Sequence, residues 1–244
     1  MTLPIATHRP AGAAAIAVLV TIIACATACA HDVFWSAGAD ADTLLEGHLA
    51  GHSHGGAAAE PLEAVRVAWL ATIGADGARR EPPLPTAAPV TVPADGVADF
   101  ALVDWGWWTK TAGGTVNRHP SEVAHPLQAW RSQETVKHLR GWHPALTAPL
   151  GRGLELTPLT DPQTLSRGDK LAVLVTLDGR PVAGAAVAYG DDTRGATGSD
   201  GLVNVRLRAA GLQVVRASLR RPDADLPRHE DVRTAVLTFD LVPR

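Results

Sequence analysis

The residues best suited to chemistry are histidines near the start of the chain. His31 directly follows Ala28-Cys29-Ala30, a small-x-small site of the kind a signal peptidase cuts. A cut there makes His31 the first mature residue. Its amine, with an intrinsic pKa of roughly 7.7–8.0, and its imidazole, at about 6.5, then chelate a borderline metal from one residue. A cut after Ala28 gives Cys29-Ala30-His31 instead, in which amine, backbone nitrogens and third-position imidazole suit square-planar copper(II) or nickel(II). Acylation at Cys25 or Cys29 would block the amine and tie the protein to a membrane by a lipid anchor. Seventeen residues on, His48, His52 and His54 lie in a glycine-flanked segment. Three imidazoles on a flexible stretch can wrap one ion of nickel, copper, cobalt or zinc. Ordering that stretch costs roughly 1–2 kcal/mol per residue, so it should capture metal weakly and exchange it readily. His119, His125, His138 and His143 are weaker metal candidates; none forms the i, i+4 pair of a helical zinc site, and His119 and His143 precede prolines as loop residues do. A structural role is the simpler reading for each.

The elements carrying these residues begin with a leader. Residues 1–30 read as a secretory signal peptide, with Arg9, an apolar run over 11–24 and small residues before the cut; that run is short for a membrane span. Export and an arginine- and alanine-rich composition place the protein in a bacterial periplasm. Both cysteines, 25 and 29, fall in the leader, which removes disulfides, thiolate zinc sites and thiol catalysis from the mature chain. Of 22 basic residues Arg9 leaves with the leader, so 21 face 25 acids, a formal charge of −4 that gives nucleic acid no electrostatic hold.

The period-2 patterns point to an all-β chain. Residues 170–177 form an apolar run ending at the Asp178-Gly179 turn. Val203, Val205 and Leu207 alternate with polar residues, as do Val215, Ala217 and Leu219, and then Ala235, Leu237, Phe239 and Leu241. This is the pattern of a β-sandwich of immunoglobulin-like type over residues 151–244. Residues 31–150 read as a second, less regular β-sandwich domain. In it Val65, Val67 and Trp69 suggest one strand, 100–108 another, and the prolines from 82 to 93 an extended stretch outside any central sheet. Residues 127–142 fit either a short amphipathic helix or a strand. Strict alternation would put Trp105 and Trp107 on one face and Trp108 on the other. Asp104, Asp191, Asp192 and Asp200 fall at strand ends or turns, where local backbone hydrogen bonds explain them. No Gly-x-Ser-x-Gly elbow, phosphate loop or His-Glu-x-x-His helix is present, so hydrolase chemistry has no support and no catalytic residue is expected.

The segments 31–35 (HDVFW), 103–110 (VDWGWWTK), 151–159 (GRGLELTPL), 177–185 (LDGRPVAGA), 198–201 (GSDG) and 237–239 (LTF) together resemble a periplasmic component family associated with nickel and cobalt uptake systems. The resemblance implies an exported, non-enzymatic accessory protein that carries a divalent transition metal, with an inner-membrane transporter as partner and His31 as its one candidate ligand. Two other readings stand beside it: a structural or carbohydrate-contacting β-sandwich with incidental histidines, and a copper protein or oxidase that uses a terminal-histidine chelate and needs a second, well-placed histidine.

Overall fold

In a computed structural model the described residues are 32–47, 49, 59–190, 192–226 and 228–241. Their strands are β1 (Asp32–Ser36), β2 (Ala41–Gly47), β3 (Glu60–Pro61), β4 (Val67–Gly74), β5 (Arg79–Arg80), β6 (Val90–Pro93), β7 (Gly96–Thr111), β8 (Gly114–Val116), β9 (Gln128–Leu139), β10 (Leu154–Pro158), β11 (Lys170–Leu177), β12 (Arg180–Pro181), β13 (Ala186–Tyr189), β14 (Asp192–Ala196), β15 (Leu202–Arg206), β16 (Gly211–Pro222) and β17 (Glu230–Leu241). Among the described residues the helical elements between them are single turns of 3-10 helix. The fold is all-β and sandwich-like, and residues 127–142 resolve to strand: β9 carries Trp130, Val136 and His138.

A nine-stranded sheet runs β14-β13-β16-β17-β9-β7-β4-β5, with β8 on the end of β7. Its register sets Phe100, Lys137, Leu237 and Val215 side by side on one face, and Ala101, Val136, Val236 and Arg216 on the other. The first face packs against the sheet of β10, β11, β12 and β15, burying Leu139, Leu237 and Phe239 with Leu154, Leu156, Leu171 and Val173. The second packs against β1, β2, β3 and β6, burying Ala101, Val103 and Val136 with Val33, Trp35, Leu44 and Val92. Each large apolar side chain so covered contributes roughly 1.5–3 kcal/mol. The result is three layers with the long sheet in the middle. The boundary expected at 150–151 falls between β9 and β10, and strands from both sides of it share that middle sheet through the parallel β9–β17 pair.

Two local expectations are corrected. Val65 is not in a strand: it sits on the 3-10 turn Ala64–Arg66, 86% exposed, and β4 starts at Val67. The alternation through the tryptophans is broken by a bulge between Asp104 and Gly106, where Gly106 takes φ 68°. Trp105 is the extra residue. It therefore turns toward Glu134 on the second face, Trp108 follows it there opposite Trp130, and Trp107 pairs with Arg131 on the first face. No atom lies within 4 Å of a Cβ built on Gly106, so its glycine answers to backbone angle rather than space.

Candidate functional site

Of the expected metal ligands, His31, His48, His52 and His54 lie outside the described residues, as do residues 1–30 with Cys25 and Cys29. The other four histidines are in place and are not brought together. His119 and His143 each open a 3-10 turn, their Nδ1 atoms accepting from the Ser121 and Ala145 backbone N–H groups at 3.2 and 3.1 Å. The His143 ring also lies so close over Gly77 that a Cβ there would meet it at 2.1 Å. His125 sits at φ 52° in a loop. His138, 4% exposed on β9, shares a 2.9 Å hydrogen bond with Thr238 Oγ1, and burial lowers its pKa. Among the described residues no three histidines, cysteines or carboxylates gather as a metal group.

What the structure does assemble is a set of charged bridges between layers. Arg216 on β16 grips Asp32 at the head of β1 with both ends of its guanidinium, Nε to Oδ1 at 3.1 Å and Nη2 to Oδ2 at 2.9 Å. Its Nη1 donates to the Gly190 carbonyl at 3.0 Å. Beside this pair Glu134, on β9, accepts from Trp105 Nε1 at 3.2 Å and is hydrogen-bonded to the Val33 backbone. Burial pushes its pKa up to about 7, against the Trp105 bond. Deeper between the same layers, Arg140 bridges Asp42 on β2 to Asp99 on β7, both carboxylates fully buried. Burial raises Asp99 to about 7 although Arg140 opposes it. Across the other interface Lys137 pairs with Glu155, and Glu155 also accepts the Leu150 and Gly151 backbone N–H groups, which fixes the loop between β9 and β10.

The sequence reading missed all of these, although one signal was there. Asp99, Glu134 and Lys137 are isolated charges inside otherwise apolar or alternating strands, and such charges are almost never fully buried unless paired. The bulge forms a separate polar cluster. Asp104 Oδ1 accepts from Gly106 N–H at 2.8 Å, as the turn reading expects, while Oδ2 also takes Gln133 at 2.9 Å and Arg131 at 3.0 Å. Burial alone would raise its pKa, but these three donors outweigh it and the pKa is lowered. Trp107 stands between His119 and His229, whose rings meet it edge-on at 5.1 and 5.8 Å.

Residues 117–221 match the model of a domain of unknown function (DUF4198). That stretch runs from Asn117 to Arg221, so of the resembling segments it contains those at 151–159, 177–185 and 198–201. The tryptophan segment, β1 and β17 lie outside it. No curated protein and no solved structure matches the chain.

Proposed function

We propose that the protein is an exported transition-metal carrier, with no reaction of its own, that holds a divalent ion at its mature N-terminus and hands it to an inner-membrane transporter. The observation that carries this reading is a register. The β1–β2 ladder ends on the pair Asp32–Gly47; His31 precedes one member and His48 follows the other. That pair brings together the sequence neighbours of the two histidines, since paired antiparallel Cα atoms lie about 5 Å apart. Leu49, next after His48, is 4% exposed and packs with Phe34, Val214 and Val236, so the chain is anchored on both sides of His48. A terminal amine with two imidazoles is a nitrogen donor set for nickel, cobalt or copper. The resemblance favours nickel or cobalt, and the ligand type favours copper. His52 and His54, in the glycine-flanked stretch, serve as a collecting tract.

Titration of the purified exported protein with nickel, cobalt and copper salts tests this. His31→Ala or His48→Ala should abolish or weaken the tightest site at least tenfold, roughly the loss expected for one nitrogen ligand. The His52→Ala/His54→Ala double variant should lower stoichiometry and leave that affinity in place. Binding should weaken below about pH 6, where imidazole and amine hold protons. An N-terminus other than His31 in the exported protein, or tight binding that survives both single substitutions, would overturn the assignment.

A further inference from the structure

The bulge in β7 opens a cleft of about 400 Å³, lined by Val65, Arg66, Asp104, Gly106, Trp107 and Arg131. Its groups come from separate stretches of chain and are held from behind. Asn117 Nδ2 donates to both the Trp105 and Trp107 carbonyls, at 2.7 and 2.8 Å, which fixes the backbone on either side of Gly106. His119 and His229, from two different loops, brace the Trp107 indole edge-on. Asp104 is fixed by three donors and stays charged at neutral pH, its pKa being lowered. Arg131 engages Asp104 through Nη2 alone, with its side chain 41% exposed. Arg66 donates through Nη1 to the Trp105 carbonyl at 3.3 Å and through Nε to Glu63, on the exposed rim, at 3.4 Å. Two guanidiniums thus share the cleft with one carboxylate and one half-buried indole. Bulges beside binding sites commonly re-aim a side chain in this way.

We propose that this cleft binds an acidic sugar, a pyranose ring carrying a carboxylate. The apolar face of a pyranose stacks on an indole, as amphipathic rings do. The planar guanidinium of Arg131 receives a carboxylate, with Arg66 adding a second positive charge. Asp104 accepts from ring hydroxyls. A neutral sugar would offer no charged acceptor to the Arg131 guanidinium N–H groups that Asp104 does not take, and a bare carboxylate would leave the indole uncovered. A phosphate dianion would meet the Asp104 charge more strongly than a monoanion does. The site is independent of the metal reading and uses none of the histidines proposed for it, His31, His48, His52 and His54.

The test titrates the purified protein with D-galacturonate, D-galactose and acetate at equal concentrations. It follows saturation transfer to the ligand protons, because seven tryptophans share the protein's fluorescence. Galacturonate is expected to bind about tenfold more tightly than either control, the worth of one charge-assisted contact. Arg131→Met and Trp107→Leu should each cost about the same factor with the circular dichroism unchanged. Arg66→Met changes a residue on a 3-10 turn outside the sheet, so a loss of binding there at an unchanged thermal midpoint supports the cleft even if Trp107→Leu does not fold. Absence of galacturonate binding, acetate or galactose binding as tightly, or undiminished binding in folded Arg131→Met and Arg66→Met proteins would overturn it.

Discussion

Arg216 is the residue on which the N-terminal strand depends most directly. It reaches across 184 residues of sequence to hold Asp32 in two-point contact, one position from His31. Both side chains are about one-fifth exposed, so solvent screens the pair and its contribution to stability is small, about 1 kcal/mol or less. Its larger effect is positional: a bidentate guanidinium fixes direction as well as distance. If the metal site lies where proposed, Arg216→Met should leave the thermal midpoint within a few degrees while weakening the tightest metal about tenfold through a less ordered N-terminus. Calorimetric titration of the variant beside the parent protein measures this. Equal affinities would show that β1 needs no clamp, whereas a parent that binds no metal would dismiss the site itself. The histidines themselves divide in an instructive way. His119 and His143 were legible as loop residues because each precedes a proline, while the partner of His138, Thr238, lies a hundred residues away and no local pattern announces it.

At the scale of elements, the strands with strict alternation were plain in the sequence: 215–219 and 235–241 form as read inside β16 and β17, and 203–207 forms as β15 up to Arg206, with Leu207 just beyond its end. Periodicity failed where an element is defined by something other than its own period. The bulge at Gly106 adds one residue and inverts the tryptophans. Burial of β9 on both faces blurs the contrast that separates a strand from a helix over 127–142. The parallel alignment of β9 with β17 depends on partners about a hundred residues apart. The Asp42–Arg140–Asp99 bridge joins β2 to β7 in the same long-range manner, and it makes stability depend on pH. Asp99 has a folded pKa near 7 against a reference value of 3.8, so the folded protein keeps a proton that the unfolded chain releases. Stability from this group is therefore greatest below about pH 4 and declines as pH rises to about 7. His138 acts oppositely: its pKa is lowered, so the folded state resists a proton and loses stability as pH falls below the ordinary imidazole value. Asp99→Asn should flatten the decline between pH 5 and 7 by an amount on the order of 1–3 kcal/mol in urea unfolding, while the acid-side loss from His138 stays. An Asn variant whose decline over pH 5–7 matched the parent's would assign that slope to Glu134, which titrates in the same range between the same layers. Arg140→Met removes the shared cation from two fully buried carboxylates and should cost about 3–5 kcal/mol at neutral pH, with a smaller penalty at pH 5.

The whole molecule turns on the middle sheet. β4, β7 and β9 come from before residue 140, β13, β14, β16 and β17 from after residue 185, and the β9–β17 ladder joins the two sets through ten residue pairs. Each outer sheet covers one face of this shared layer, and the core under the C-terminal sheet draws on both halves of the chain: Leu139 and Ala98 pack with the C-terminal residues Leu237 and Val173, whereas the core under β1 and β2 is built from residues up to Val136. Lys137 on β9 answers Glu155 on β10 across that same interface, a buried pair whose separation would strand a charge. Residues 31–244 form one compact unit accordingly. Thermal unfolding of residues 31–244 should therefore be a single cooperative transition, with calorimetric and van't Hoff enthalpies in agreement. A fragment of residues 151–244 should aggregate rather than fold, because β17 would present an unpaired twelve-residue edge and the sheet would lose β9, β7 and β4. Lys137→Met should lower the single midpoint of the whole chain instead of splitting it. Two resolved transitions, or a soluble fragment with native-like circular dichroism, would show instead that the C-terminal sandwich closes its core without β9.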